Sequence, residues 1–308
     1  MKKKAIMALL LILSLTSTTI VLGEAQTQST YMLELQGPTW EHSIINLIIT
    51  PQYNEPWWNP AYLNSTLRAI SEWNEAISFS ASNYTDFAYL SGLRMIPEVS
   101  NSARTGFDVQ ISWIQQFGNV TCEAGLTRTT YETSGVIRNS DVNLSAYDCR
   151  GNILSEVDMQ NVALHELGHV LGLGHANNTG DLMYFAYTLS SPVRAISTLD
   201  VYGVASVFRW MSASPEFDQS NQGPRIFSVT LPPTIKYDYL QISDANLPPP
   251  QSPLDSFNTF AVDLIKFILR PEILIAIIVA IAAMVAFAMM PRRRAKQEAN
   301  NKTGDVPV

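Results

Sequence analysis

The apolar positions change period several times along the chain, and each change predicts an element. Residues 42–50, HSIINLIIT, are dense in β-branched side chains and stop at Pro51, which predicts a strand. From Asn59 and Pro60 onward, Leu63, Leu67, Ile70, Trp73 and Ile77 recur at spacings of three and four. That is an amphipathic helix with Asn at its cap and Pro in its first turn. FDVQISWI (107–114), AGLTRTTYE (124–132) and VIRNSDVNLS (136–145) read as further strands. Ser155 and Asp158 are spaced to cap a second helix over about 156–170, and Ser197 and Asp200 to cap a third, TLDVYGVASVFRW.

Periodic patterning thins beyond residue 211. Residues 212–256 are rich in Pro, Ser and Gln, which predicts a stalk running to about residue 270, with a short strand pair at RIFSVTL and YDYLQI. Both ends of the chain carry apolar runs. Residues 1–23 have a basic start, an apolar stretch and small residues around Gly23, the layout of a signal peptide; an uncleaved anchor is the alternative. Residues 273–290 are 18 residues without a charge, followed by Pro291 and RRRAK. This predicts a transmembrane helix over 271–290 in contact with membrane lipid, with 291–308 as a basic cytoplasmic tail; a buried core helix is the alternative. The main domain, residues 24–211, then lies outside the cell as part of a single-pass protein of the cell membrane.

Composition narrows the partners. Between Glu24 and Trp210 stand 8 Arg, no Lys and 18 acidic residues, a balance that repels phosphate backbones and argues against nucleic acid. The two cysteines, Cys122 and Cys149, both fall in the segment placed outside the cell, so a disulfide is expected, with two buried thiols as the alternative. Glycosylation triplets at Asn64, Asn83, Asn119, Asn143 and Asn177 fit the same compartment.

Three of the four histidines sit in LHELGHVLGLGHANNTGDLMY, residues 164–184; His42 is the other. On the second helix His165 and His169 are four apart, hence on one face and one turn apart, close enough to share a metal ion. Glu166 is placed to take a proton from the attacking water rather than to join the ligands. Gly172 permits the sharp turn that brings His175 back as a third ligand. Three protein ligands leave a coordination position open, the arrangement of a catalytic zinc.

These residues resemble the metzincin metallopeptidases, whose signature H-E-x-x-H-x-x-G-x-x-H is matched by His165, Glu166, His169, Gly172 and His175. Met183 stands where that clan has a methionine turn beneath the metal, and its spacing, with Tyr184, is most similar to the matrixins. The resemblance covers roughly residues 38 to 210. It implies an α+β fold: a zincin-like metzincin catalytic domain with a twisted mixed β-sheet and three helices. It also implies a zinc endopeptidase acting on polypeptide, with substrate added as a strand along AGLTRTTYE. A pocket for the residue after the cleaved bond would be walled by Phe185, Tyr187 and Leu164. Ala176 and Phe185 depart from the usual matrixin Ser and Pro, and no cysteine precedes Cys122 to block the zinc. Calcium, common in the family, cannot be placed on particular residues. Two other functions fit the metal motif less well: a cell-surface adhesion protein with a structural zinc, and a zinc hydrolase acting on something other than peptides.

Overall fold

The structure, a computed structural model, describes residues 30–241 apart from 103, 119–121, 215 and 219–224. The strands are β1 Met32–Leu35, β2 Ile44–Thr50, β3 Arg94–Val99, β4 Val109–Ile114, β5 Gly125–Tyr131, β6 Ile137–Ser145, β7 Leu173–Ala176 and β8 Ser228–Thr230. The α-helices are α1 Ala61–Asn83, α2 Glu156–Val170 and α3 Thr198–Val207, with 3-10 turns at Thr85–Gly92 and Arg209–Ser212. Pro60 has helical dihedrals and the Asn59 side chain accepts the Ala61 N–H at 3.0 Å, so the expected cap of α1 forms.

Five strands make a mixed sheet in the order β3-β2-β4-β6-β5. The first four of these run parallel, and β5 lies antiparallel to β6 at one edge. Central β2 buries Ile45, Leu47, Ile48 and Ile49, the continuous apolar run expected of a parallel strand covered on both faces. β3 escaped the sequence pattern because it contains Pro97, which an edge strand tolerates. Two buried tryptophans fasten α2 to the rest of the domain. Trp73 of α1 donates its indole N–H to the Leu164 carbonyl, and Trp40 donates to the Val170 carbonyl at the helix end, both at 2.9 Å. Cys122 and Cys149 form the expected disulfide, with Cα atoms 4.8 Å apart.

A second, three-stranded sheet has the order β7-β1-β8. Met32, Leu33 and Glu34 pair with Thr230, Val229 and Ser228. This corrects the strand pair expected at RIFSVTL and YDYLQI: the first adds to β1, while Tyr239 of the second bridges Ser197. It also moves the end of the folded unit. Val229, Leu231 and Leu240 join the hydrophobic core, so residues 225–240 pack on the domain although their composition reads as stalk. Their partners lie far upstream in the chain, where a local composition count cannot register them.

The leader at 1–23, the apolar run at 273–290 and the basic tail lie outside the described residues. Among the described residues, no helix is long and apolar enough to cross a membrane.

Candidate metal centre and active site

α2 starts where Ser155 and Asp158 cap each other: the Ser155 hydroxyl accepts the Asp158 N–H, and the Asp158 carboxylate accepts the Ser155 N–H, each at 3.1 Å. From that start, helical spacing presents His165 and His169 on one face. The chain then turns at Gly172, whose φ of +89° lies in the left-handed region, and a Cβ there would stand 3.0 Å from Val207. The turn feeds β7, and β7 carries His175. The ligand atoms of the three histidines all lie within 4.8 Å of one another.

Each helical histidine is oriented by a backbone carbonyl. Nδ1 of His165 donates to Leu182 O at 2.9 Å, and Nδ1 of His169 donates to Leu173 O at 2.8 Å. A carbonyl can only accept, so Nδ1 carries the proton and Nε2 keeps its lone pair for a metal. Burial, reinforced by the neighbouring His169, holds His165 down at about 3, and burial holds His169 at about 4. Both are therefore neutral at pH 7, as metal ligands must be. Three converging imidazoles, with no fourth protein ligand among the described residues, fit one zinc ion that keeps an open position. His42, outside this cluster, sits 3.2 Å from Asp108 instead.

Glu166 is 5% exposed, and its carboxylate lies beneath the start of the edge strand β5. Thr127 of β5 donates its hydroxyl to Oε2 at 2.7 Å. A Cβ on Gly125 would stand only 2.5 Å from Oε1. Burial pushes the Glu166 carboxyl up to about 7, with the Thr127 hydrogen bond acting in the opposite direction.

Met183 is fully buried under the histidines, and any side chain at Gly168 would collide with its sulfur. The turn holding it is built on Asp181. One carboxylate oxygen of Asp181 accepts the Met183 N–H at 2.9 Å; the other accepts the Ser197 hydroxyl at 2.8 Å and the Tyr237 hydroxyl at 3.0 Å. Complete burial, then the charge of Asp181 beside it, pushes the Asp200 carboxyl well above the usual range. Leu182, whose carbonyl orients His165, lies between Asp181 and Met183. The turn thus sets the ligand geometry as well as the floor.

The expected pocket residues separate. Leu164 is wholly buried and packs in the hydrophobic core. Tyr187 is tied down by polar contacts: its hydroxyl donates to Asp158 at 2.6 Å and accepts from Asn161 at 2.8 Å, while the Arg194 guanidinium lies 5.4 Å from its ring centroid. Phe185 is 67% exposed, with its ring centroid 6.4 Å from that of His175. It borders an open groove of about 380 Å³ with Met32, Glu34, His175, Asn177 and Tyr184.

Gly125, Thr127, Asp181 and Tyr237 were not visible as site residues in the sequence. A Gly heading a strand can signal close approach of another group, and an Asp two residues before Met183 can signal a side-chain-closed turn. Tyr237 carried no local signal.

The sequence around the site is similar to that of known proteins. The Matrixin peptidase family model matches residues 77–209. Stromelysin-1 of Equus caballus is 51% identical over 57 residues, 18% of this chain and 12% of that protein. Metalloendoproteinase 2-MMP of Arabidopsis thaliana is 32% identical over 73 residues, 24% of this chain and 18% of that protein. Interstitial collagenase of Bos taurus is 40% identical over 53 residues, 17% of this chain and 11% of that protein. The chain therefore spans less than a fifth of the length of these relatives. Family model, relatives and histidine spacing together support a likeness to the matrixin metzincins over residues 77–209.

Proposed function

We propose that this protein is a membrane-anchored, extracellular zinc endopeptidase. The observation that carries the reading is a converging His165–His169–His175 triad with the Glu166 carboxylate held by Thr127 of an edge strand. When bound, zinc supplies Lewis acidity that polarises a carbonyl and acidifies water. Glu166 takes the proton of the attacking water and delivers it to the leaving amine, which breaks the C–N bond. Thr127 orients that carboxylate. Among the described residues β5 pairs only with β6, which leaves its outer N–H and C=O groups open to an extended peptide. Phe185 and Tyr187 bound the space for the residue after the cleaved bond. The disulfide fits an oxidising, extracellular setting. The anchor is proposed from residues 271–290 and the leader from residues 1–23.

An adhesion protein with a structural zinc would have no use for a general base beside an open metal position. The deciding test is cleavage of a peptide library by the zinc-loaded full chain, with and without a chelator. Cleavage within peptides that stops on chelation and returns with zinc supports the reading. Intact peptides at stoichiometric zinc would remove it.

A further inference from the structure

β1 is not part of the five-stranded sheet, yet it runs directly beside the third ligand. Leu33 and Leu35 point inward and are buried, so by strand alternation Met32 and Glu34 share the outward face. β1 pairs with β7 through Leu33 and Ala176 and through Leu35 and Leu173, which sets that outward face next to exposed His175. Gly174 makes the approach possible: a Cβ there would stand 2.8 Å from the Glu34 Cβ and 3.0 Å from its backbone. The result is the groove of about 380 Å³ bordered by Met32, Glu34, His175, Asn177, Tyr184 and Phe185.

The chemistry of this groove is uneven. Met32 and Phe185 are exposed apolar side chains, 37% and 67% accessible. The Glu34 side chain has no hydrogen bond or ion pair among the described residues, whereas Glu41 and Glu132 hold Arg138 and Glu98 holds Arg104. Asn177 is spoken for, since its side chain bonds the Met32 N–H and the Thr30 carbonyl, each at 3.0 Å. An open groove that offers exposed apolar side chains and one carboxylate unpaired among the described residues suits a long aliphatic stem with a cationic head. A purely apolar side chain would cover Met32 and Phe185 but leave Glu34 without a partner.

Resting on the peptidase reading above, we propose that this groove is a subsite for an Arg or Lys side chain of the bound polypeptide. The stem lies between Met32 and Phe185, and the head pairs with Glu34. The protein selects for a basic residue at one fixed position relative to the zinc.

The test uses one peptide scaffold in which Arg, norleucine or Glu is placed at each position in turn. Binding to the zinc-loaded full chain carrying Glu166→Ala is read by fluorescence anisotropy, and cleavage by the unsubstituted chain is read in parallel. At one position Arg should bind roughly three- to fivefold more tightly than norleucine, the size of a partly exposed ion pair. The ratio should fall to about one with Glu34→Gln, and Glu should become the preferred residue with Glu34→Lys. Added salt at about 1 M should also erase it. A ratio of one at every position, or a ratio unchanged by Glu34→Gln, overturns the proposal. Charge-selective binding without cleavage would overturn the peptidase reading and leave the subsite standing; cleavage without charge selectivity would do the reverse. Neither binding nor cleavage would remove both.

Discussion

The carboxylate of Glu166 occupies the space that a side chain on Gly125 would need: a Cβ at Gly125 would lie 2.5 Å from Oε1. An edge strand can therefore press against α2 and still leave the Glu166 carboxylate in place. Gly125→Ala should displace Glu166 while the histidines, oriented from Leu182 and Leu173, keep zinc. Peptide hydrolysis should fall by roughly a hundredfold, the cost of misplacing a reacting group by about 1 Å. Turnover near that of the unsubstituted protein, at equal zinc content, would show that the glycine has no such role.

Substituting Glu166 and substituting His169 should give different failures. Glu166→Ala should bind zinc normally and lose about 10²- to 10⁴-fold in hydrolysis. His169→Ala should lose the zinc itself. Metal analysis after dialysis, set beside the rate assay, separates the two. Equal zinc loss in both variants would mean that Glu166 helps hold the metal.

Asp158 joins the start of α2 to the segment after Met183. Burial pushes its carboxyl up, but hydrogen bonds from Ser155, Tyr187 and Ser190 outweigh that and hold it below the usual range. A carboxyl depressed in the folded state stabilises the fold above its unfolded value, about pH 3.9, and loses that contribution as pH falls through the folded value. Asp158→Asn should therefore be less stable at pH 7, with the difference shrinking at acid pH. Tyr187→Phe should cost about 1 kcal/mol. Urea unfolding at pH 7 and pH 3 measures both, and a difference that grows on acidification would reverse the assigned sign.

Residues 225–240 should be needed for a stable domain. A chain ending at Ser212 loses the burial of Val229, Leu231 and Leu240, each worth about 1.5 kcal/mol or more, and the Tyr237 bond to Asp181. A chain ending at Gln241 keeps them. Thermal unfolding and zinc affinity should both favour the longer form. Equal melting temperatures would return this segment to the stalk.

The disulfide closes a loop with a sequence separation of 27 residues. Its removal by Cys149→Ser should cost about 3 kcal/mol, as loss of a crosslink of that span implies. Labelling of either cysteine in the unfolded, unreduced protein would show that the bond is not formed.

The sequence was most legible where a signal is local. The capping boxes at Ser155 and Ser197, the three-and-four spacing of α1 and the histidine spacing on α2 are all contained within a few turns, and all form as expected. What stayed hidden depends on contacts between distant segments. β1 is short and carries no strand pattern of its own, and although RIFSVTL read as a strand, its pairing with β1 rather than with YDYLQI did not. Asp181 reads as an ordinary turn residue until Ser197 and Tyr237 are folded against it. Leu164 was expected near the pocket through the matrixin resemblance; in the fold it is wholly buried in the hydrophobic core.

His175 rides on β7, whose neighbour β1 is in turn paired with β8. The third ligand is thus braced by strands from the two extremes of the described chain, Met32–Leu35 and Ser228–Thr230. During synthesis, α2 and both of its histidines leave the ribosome well before β8 does. A nascent chain can close its β1–β7 pair early, but that pair stays half-covered until residue 230 emerges. Order of emergence therefore acts as a clock: a fully braced metal centre exists only once the whole domain is outside the exit tunnel.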